Sequence, residues 1–228
     1  MKAAEGKVFE FMGCVELRQI LGKKAEDEKQ LLDLLEEVPL DSVYHHTHEY
    51  FLRHKYILGP YPNDFANWAA IQVRDRVLGE RLGVLDPYDF ASLEALRDEI
   101  IAVIDDHLTK LRMIPRVGYG EPFHFIQSRI VTVPMGITAR TLEEFRGALA
   151  GVDASSIYFH AFEARMRLNR RDGDFVFWIR EALGLQELAD RLANTDPYMF
   201  SLEQLRARLL GLLDEALAKG GDGRGGSA

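Results

Sequence analysis

Apolar residues recur with a helical period at the end of each half of the chain. Leu93, Leu96, Ile100, Ile101 and Ile104 fall on one face at 3.6 residues per turn, and Leu202, Leu205, Leu209, Leu210 and Leu213 repeat the pattern. Upstream, the pattern opens on a period of two: Phe9-Glu10-Phe11 in the first half and Phe123-His124-Phe125-Ile126 in the second, the latter running on through β-branched Ile130-Val131-Thr132-Val133. These read as a short strand at the head of each half. A helix follows at Asp27 to Glu37 and at Thr141 to Ala150, where Thr141-Leu142-Glu143-Glu144 fits a capping box. A second helix is expected over Leu40 to Ile57 and Ala154 to Leu168. A third runs from Asp64 to Asp86 and from Asp174 to Asp196, stopped by Pro87 and Pro197. A fourth begins near Ser92 and Ser201.

The halves match residue by residue. Ser42, Tyr44, His46 and Glu49 coincide with Ser156, Tyr158, His160 and Glu163 at an offset of 114 (158 − 44). Phe9, Phe11 and Gly22 coincide with Phe123, Phe125 and Gly136 at the same offset. Further on the offset is 110 (178 − 68), pairing Asp64-Phe65 with Asp174-Phe175, Trp68 with Trp178, and Asp86-Pro87-Tyr88 with Asp196-Pro197-Tyr198. It ends at 109 (202 − 93) along the last helix. The length change falls around Gly59-Pro60-Tyr61-Pro62, a loop composition. The expectation is a mainly α fold: two tandem copies of a four-helix unit, each with a short N-terminal strand, related by a pseudo-twofold axis. The copies would occupy 1–114 and 123–219, with a Gly- and Pro-containing linker at 115–122 and a disordered Gly-rich tail at 220–228.

The second helix carries the chemistry worth weighing. On a helical wheel Ser42, His46, Glu49 and Arg53 lie within about 60° of one another, and Ser156, His160, Glu163 and Arg167 repeat the line. In copy two the rest of that helix is almost wholly apolar. One reading is structural: a solvated edge or an internal hydrogen-bond network, with His46 bonded to a carbonyl or to Asp64. The other is a site for a small ligand such as a polyol, held by His, Glu and Arg. A metal-dependent enzyme is the alternative within that reading, with His46, Glu49, His160 and Glu163 meeting between the repeats. Copy one adds His45, His48 and Tyr61 around the line, so a single active half would be the first.

Composition narrows the classes. The 228 residues include 28 basic and 36 acidic side chains, a net charge of −8. That balance disfavours nucleic acid and anionic membranes as partners. The N-terminal residues lack a signal-peptide pattern, and no apolar run approaches the roughly 18 residues of a membrane span, which points to the cytoplasm. The one cysteine, Cys14, cannot form a disulfide within the chain. No nucleophile–base pair or cofactor fingerprint is legible. A non-enzymatic binding or scaffold protein, taking a small molecule or a protein partner, is the leading expectation.

The run from Tyr44-His45-His46-Thr47-His48-Glu49-Tyr50 through Leu58-Gly59-Pro60-Tyr61-Pro62-Asn63-Asp64-Phe65, with the two Asp-Pro-Tyr-x-Phe elements, resembles a prokaryotic family known only as domain of unknown function 5752. The resemblance spans nearly the whole chain. It implies a cytosolic protein of this size and brings no reaction or site residues with it.

Overall fold

The structure is a computed structural model that describes residues 8–168 and 172–222. Two long strands, β1 (Phe9–Ala25) and β2 (Phe123–Ala139), pair with each other in a two-stranded sheet. Between them lie α1 (Glu28–Glu37), α2 (Leu40–His46), α3 (Tyr50–Arg53), α4 (Asp64–Trp68), a π-helical turn (Ala69–Val73), α5 (Arg76–Gly83) and α6 (Leu93–Thr109). After β2 come α7 (Leu142–Gly151), α8 (Ala154–Tyr158), a π-helical turn (Phe159–Glu163), α9 (Ala164–Leu168), α10 (Asp174–Glu181), α11 (Gln186–Ala193) and α12 (Leu202–Asp222).

The expected pseudo-symmetric pair of four-helix units, each behind a short strand, is therefore corrected. Helix remains the major element, but each half opens with a 17-residue strand rather than a short one. The long helices of the sequence reading are also subdivided. In the first copy the second helix breaks at Thr47–Glu49, where the Thr47 hydroxyl donates to the Val43 carbonyl at 2.7 Å and competes with the helical ladder. The expected third helix divides because its middle residue is left-handed: Arg74 at φ 69° in one copy and Gly184 at φ 67° in the other. Asp75 then starts α5 afresh, accepting from the Leu78 amide at 2.9 Å. Of the Gly-rich end, 220–222 continue α12, and 223–228 lie outside the described residues.

The expected capping box is present. Thr141 accepts from the Glu144 amide at 3.2 Å, and Glu144 reaches back to the Arg140 amide at 2.7 Å. Asp86 and Asp196 each accept from the amide two residues on, Tyr88 and Tyr198, so the Asp-Pro-Tyr elements close as short 3₁₀ turns at Pro87–Asp89 and Pro197–Met199.

The chain forms two compact units, here named by their tryptophans. The Trp68 unit comprises Glu16–His54 and Leu58–Val131. The Trp178 unit comprises the described parts of Met1–Val15, Lys55–Ile57 and Thr132–Ala228. The core of the Trp68 unit joins Leu31, Leu35, Phe65, Trp68, Leu78, Leu82, Leu96, Ile100 and Ile104 to Phe123 and Phe125. In the Trp178 unit the Phe9 ring lies 5.2 Å from Phe145, 5.7 Å from Phe175 and 5.5 Å from Trp178, and Phe11 lies 5.4 Å from Phe145. The opening phenylalanines are thus exchanged: each pair fills the core made by the other copy's helices. Segment 115–122 is also bonded into the Trp68 unit, with the Val117 amide on the Glu26 carbonyl at 2.8 Å and Trp68 Nε1 donating to the Glu121 carbonyl at 3.0 Å.

Truncation of a buried phenylalanine costs about 3–5 kcal/mol. Phe125→Ala is expected to destabilise the Trp68 unit by that amount, and Phe11→Ala the Trp178 unit. Denaturation followed by tryptophan fluorescence in Trp68→Phe and Trp178→Phe backgrounds assigns the loss. A fragment ending at residue 114 lacks both Phe123 and Phe125 and should show no cooperative transition. A sharp transition from that fragment would refute the exchange.

Candidate functional site

The two histidines of the repeated line perform the same task. His46 holds Asp64 Oδ2 through Nδ1 at 2.8 Å and accepts the Ile126 amide on Nε2 at 3.2 Å. His160 holds Asp174 Oδ2 through Nδ1 at 2.9 Å and accepts the Met12 amide on Nε2 at 2.9 Å. A backbone amide can only donate, so Nε2 carries the lone pair and Nδ1 carries the proton in both rings. Each imidazole also packs on the first phenylalanine of the strand it grips, Phe123 at 4.6 Å and Phe9 at 4.8 Å. Burial pushes His46 down to about 4 despite Asp64, and pushes His160 down too. Both rings are therefore neutral clamps.

The other members of the line divide as follows. Ser42 and Ser156 are fully buried, and neither hydroxyl has a hydrogen-bond partner among the described residues. Arg53 bonds Asp64, while Arg167 bonds Asp174 at 2.9 Å and lies 4.8 Å over the Phe159 ring. Glu163 sits half-buried in a π-helical turn, which displaces it from the regular wheel position. Glu49 is fully buried and belongs to a network in the Trp68 unit. Of the metal-ligand set His46, Glu49, His160 and Glu163, the first two lie in the Trp68 unit and the last two in the Trp178 unit.

The Glu49 network centres on His45. Its Nδ1 lies 2.8 Å from Glu16 Oε1, 3.1 Å from Glu49 Oε2 and 3.0 Å from Ser128 Oγ, and Arg53 Nη1 meets its Nε2 at 2.5 Å. A guanidinium only donates, so Nε2 accepts and the ring proton is on Nδ1, shared among the carboxylates. The Ser128 hydroxyl donates to Glu49 Oε2. Glu49 Oε1 is buried without a donor among the described residues, and the two carboxyls interact directly. Two carboxylates in contact need a proton between them. Burial raises Glu49, so it keeps the proton. For Glu16 burial acts upward, but hydrogen bonds from His45 and Arg18 outweigh it and bring it down to about 2. The pair is an acid donating to a carboxylate.

Of the secondary candidates, His48 stacks on Tyr44 at 5.0 Å, meets Tyr88 edge-on at 5.1 Å, and bonds the Thr47 hydroxyl. Burial alone pushes it down to about 3. Tyr61 donates its amide to Asn67 Oδ1 at 3.2 Å and packs against the Trp68 core. Glu16 and Ser128 escaped the sequence reading because both are out of phase. Inward positions run Phe9, Phe11, Gly13 and then shift to Cys14 and Glu16, and run Phe123, Phe125 and then shift to Ser128. The expected bond from His46 to Asp64 is present, and the repeat carries it over to His160 and Asp174.

Could this network hold a metal? His45, His46 and Asp64, and likewise Glu16, His45 and Glu49, bring their ligand atoms within 4.8 Å of one another. Both sets require a histidine lone pair that already accepts from Arg53 or from the Ile126 amide. The donor pattern suits protons better than a cation. Beside the network, His46 and Asp64 reach a cleft of about 270 Å³ that is also lined by Asn67, Trp68, Glu121 and His124.

The model of the Family of unknown function (DUF5752) matches residues 6–214. The chain belongs to this family. A solved structure, that of OrfY from Thermoproteus tenax, is similar to this DUF5752 member with a TM-score of 0.73 at 26% identity, over 93% of this chain and 97% of that one. No curated protein matches. Among the described residues of this DUF5752 chain, no helix is long and apolar enough to cross a membrane.

Two predictions follow from the proton placement. Glu49→Gln keeps an acceptor for Ser128 and a donor for Glu16, so chemical denaturation should show a loss within about 1 kcal/mol. Glu16→Gln removes the anion and should cost about 2–3 kcal/mol. Equal losses would refute the assignment. The second concerns pH. In the unfolded chain His46 and His48 protonate near 6.5, whereas the folded rings resist until about 4 and 3. The unfolded state then binds more protons, so stability falls as pH drops from 6.5 towards 4, by about 1.4 kcal/mol per pH unit and histidine. His48→Phe, the residue copy two carries at position 162, should shallow that slope by one proton.

Proposed function

We propose that this is a non-enzymatic, cytoplasmic binding or scaffold protein whose small-molecule site is the cleft beside Trp68. The observation that carries the reading is the direction of the polar line. His46, His160, Arg53 and Arg167 turn their hydrogen-bonding groups onto the chain's own strands and carboxylates. A line committed in that way builds a scaffold and leaves no activated nucleophile or base for turnover. The metal-dependent alternative would require His46 and His160 to surrender those bonds, which makes it the weaker reading.

The cleft is where this scaffold meets solvent. Its edge carries exposed Glu121 and His124, and Asp64 is a quarter exposed at its floor beside the Trp68 ring. Arg53 and His46 already face Asp64, so an anion gains no free cation there. A small ligand rich in hydroxyl or amine donors, resting an apolar face on half-exposed Ile71 beside the edge of Trp68, matches the lining. Nucleic acid and membrane surfaces suit the net charge of −8 poorly.

Intrinsic fluorescence provides the test, because Trp68 lines the cleft and Trp178 lies in the other unit. Titration with panels of sugars, sugar phosphates, amines and nucleotides is expected to change emission for one donor-rich class, with a matching rise in melting temperature. Trp68→Phe should abolish the optical change, and Glu121→Gln with His124→Ala should weaken binding by about tenfold without lowering stability. Silence across every class, with no partner retained in a pull-down, would sink the proposal.

A further inference from the structure

The Trp68 unit contains another group of ionisable side chains, built from three helix ends. Glu28 occupies the first turn of α1, Asp75 caps α5, and His107 lies in the last turn of α6. Their ligand atoms all lie within 4.8 Å of one another. His107 Nε2 is 2.8 Å from Asp75 Oδ2 and 4.0 Å from Glu28 Oε2. Asp75 is fixed by its other oxygen, which accepts from the Leu78 amide at 2.9 Å. Glu28 is wholly buried, and neither of its carboxylate oxygens has a hydrogen-bond partner among the described residues. A carboxyl buried in that way is unfavourable unless something positive completes it.

The repeat supplies an internal control. Glu28, Asp75 and His107 correspond to Leu142, Leu185 and Ala216 in copy two. Those three residues line an apolar groove of about 740 Å³ in the Trp178 unit. The fold therefore does not need polar groups at this position. Copy one has an acid, an acid and an imidazole where copy two has three apolar side chains.

We propose that Glu28, Asp75 and His107 form a binding site for a first-row divalent transition ion, with Zn²⁺ as the type case. One imidazole nitrogen and two carboxylates are a donor set of that class, whereas Ca²⁺ and Mg²⁺ call for oxygen ligands throughout. Two carboxylates balance the charge of a divalent ion. In contrast to His45 and His46, His107 Nε2 faces only carboxylates, so releasing its proton opens a lone pair directed at both acids. Metal bonds of about 2.0–2.2 Å require a modest approach of Glu28 towards Asp75 and His107. The slightly open flank at Asp75, whose side chain is 13% exposed, is the way in. The site is independent of the ligand cleft beside Trp68.

The test uses the full chain, stripped with chelator and titrated with Co²⁺ and Zn²⁺. One equivalent of Co²⁺ with ligand-field absorption, and a Zn²⁺-dependent rise in melting temperature, are expected. The variant Glu28→Leu/Asp75→Leu/His107→Ala installs copy two's residues and should keep its circular dichroism while binding at least about 100-fold more weakly. His107→Ala alone serves if the triple variant does not fold. His45→Phe should leave the Co²⁺ spectrum unchanged. Absence of stoichiometric binding by the unaltered chain means that Glu28 is simply a protonated core acid, and overturns the proposal. So does binding that survives His107→Ala or is lost in His45→Phe.

Discussion

A strand amide donating to a buried imidazole is the contact on which both units depend. His46 takes the Ile126 amide and His160 takes the Met12 amide, and in both cases an aspartate behind the ring fixes the proton on the far nitrogen. The bond is valuable because of where it lies. A two-stranded ribbon satisfies only one edge of each strand, and an amide turned into the core would otherwise be left without a partner. The imidazole supplies an acceptor there while presenting its carbon face to Phe123 or Phe9. It can do so only while neutral, and burial keeps it neutral. The aspartate, the arginine that steadies it and the phenylalanine under the ring are consequences of that one requirement.

This explains how far the sequence could be read. The duplication was visible because the clamp needs the same residues twice: His46 and His160, Asp64 and Asp174, Arg53 and Arg167, Phe123 and Phe9. The cap at Thr141 was visible because its signal is local. What was not visible is long-range. Nothing in Phe9-Glu10-Phe11 states that these rings belong with Phe145 and Trp178 rather than with the helices that follow at once. Strand length was underestimated because the middle of β1 is exposed, so the core no longer imposes alternation on Leu17 to Lys24. The helix breaks came from the Thr47 hydroxyl competing with the backbone and from the left-handed residues Arg74 and Gly184, and a period count is blind to both. The partners of His45 and Glu49 were not legible, because Glu16 and Ser128 come from strands whose inward phase changes partway along.

The copies diverge where polar groups are buried. His45 stands where copy two has Phe159, His48 where it has Phe162 and Glu16 where it has Ile130, while Ser128 of copy two stands where copy one has Cys14. Each substitution exchanges an apolar side chain for one that must find a partner. In the Trp68 unit those partners are found collectively, since Arg53, His45, Glu16, Glu49 and Ser128 satisfy one another in a single connected set. Such a set is all-or-none: removing one member strands the rest, so its members change together if at all.

Copy two carries Phe159, Phe162, Leu142 and Leu185 at the matched positions, so the repeated pattern does not itself require the polar content of copy one. Polar networks in a core add little net stability over well-packed apolar groups. They do add protonation states, fixed dipoles and lone pairs, which apolar cores lack. The chain has apolar side chains at five matched positions of copy two where copy one has Glu16, Glu28, His45, Asp75 and His107, so its added ionisable groups are concentrated in one copy. The Trp178 unit meets the same architectural demands with apolar side chains at those positions, and the excess over them in the Trp68 unit is what the proposed metal site draws on.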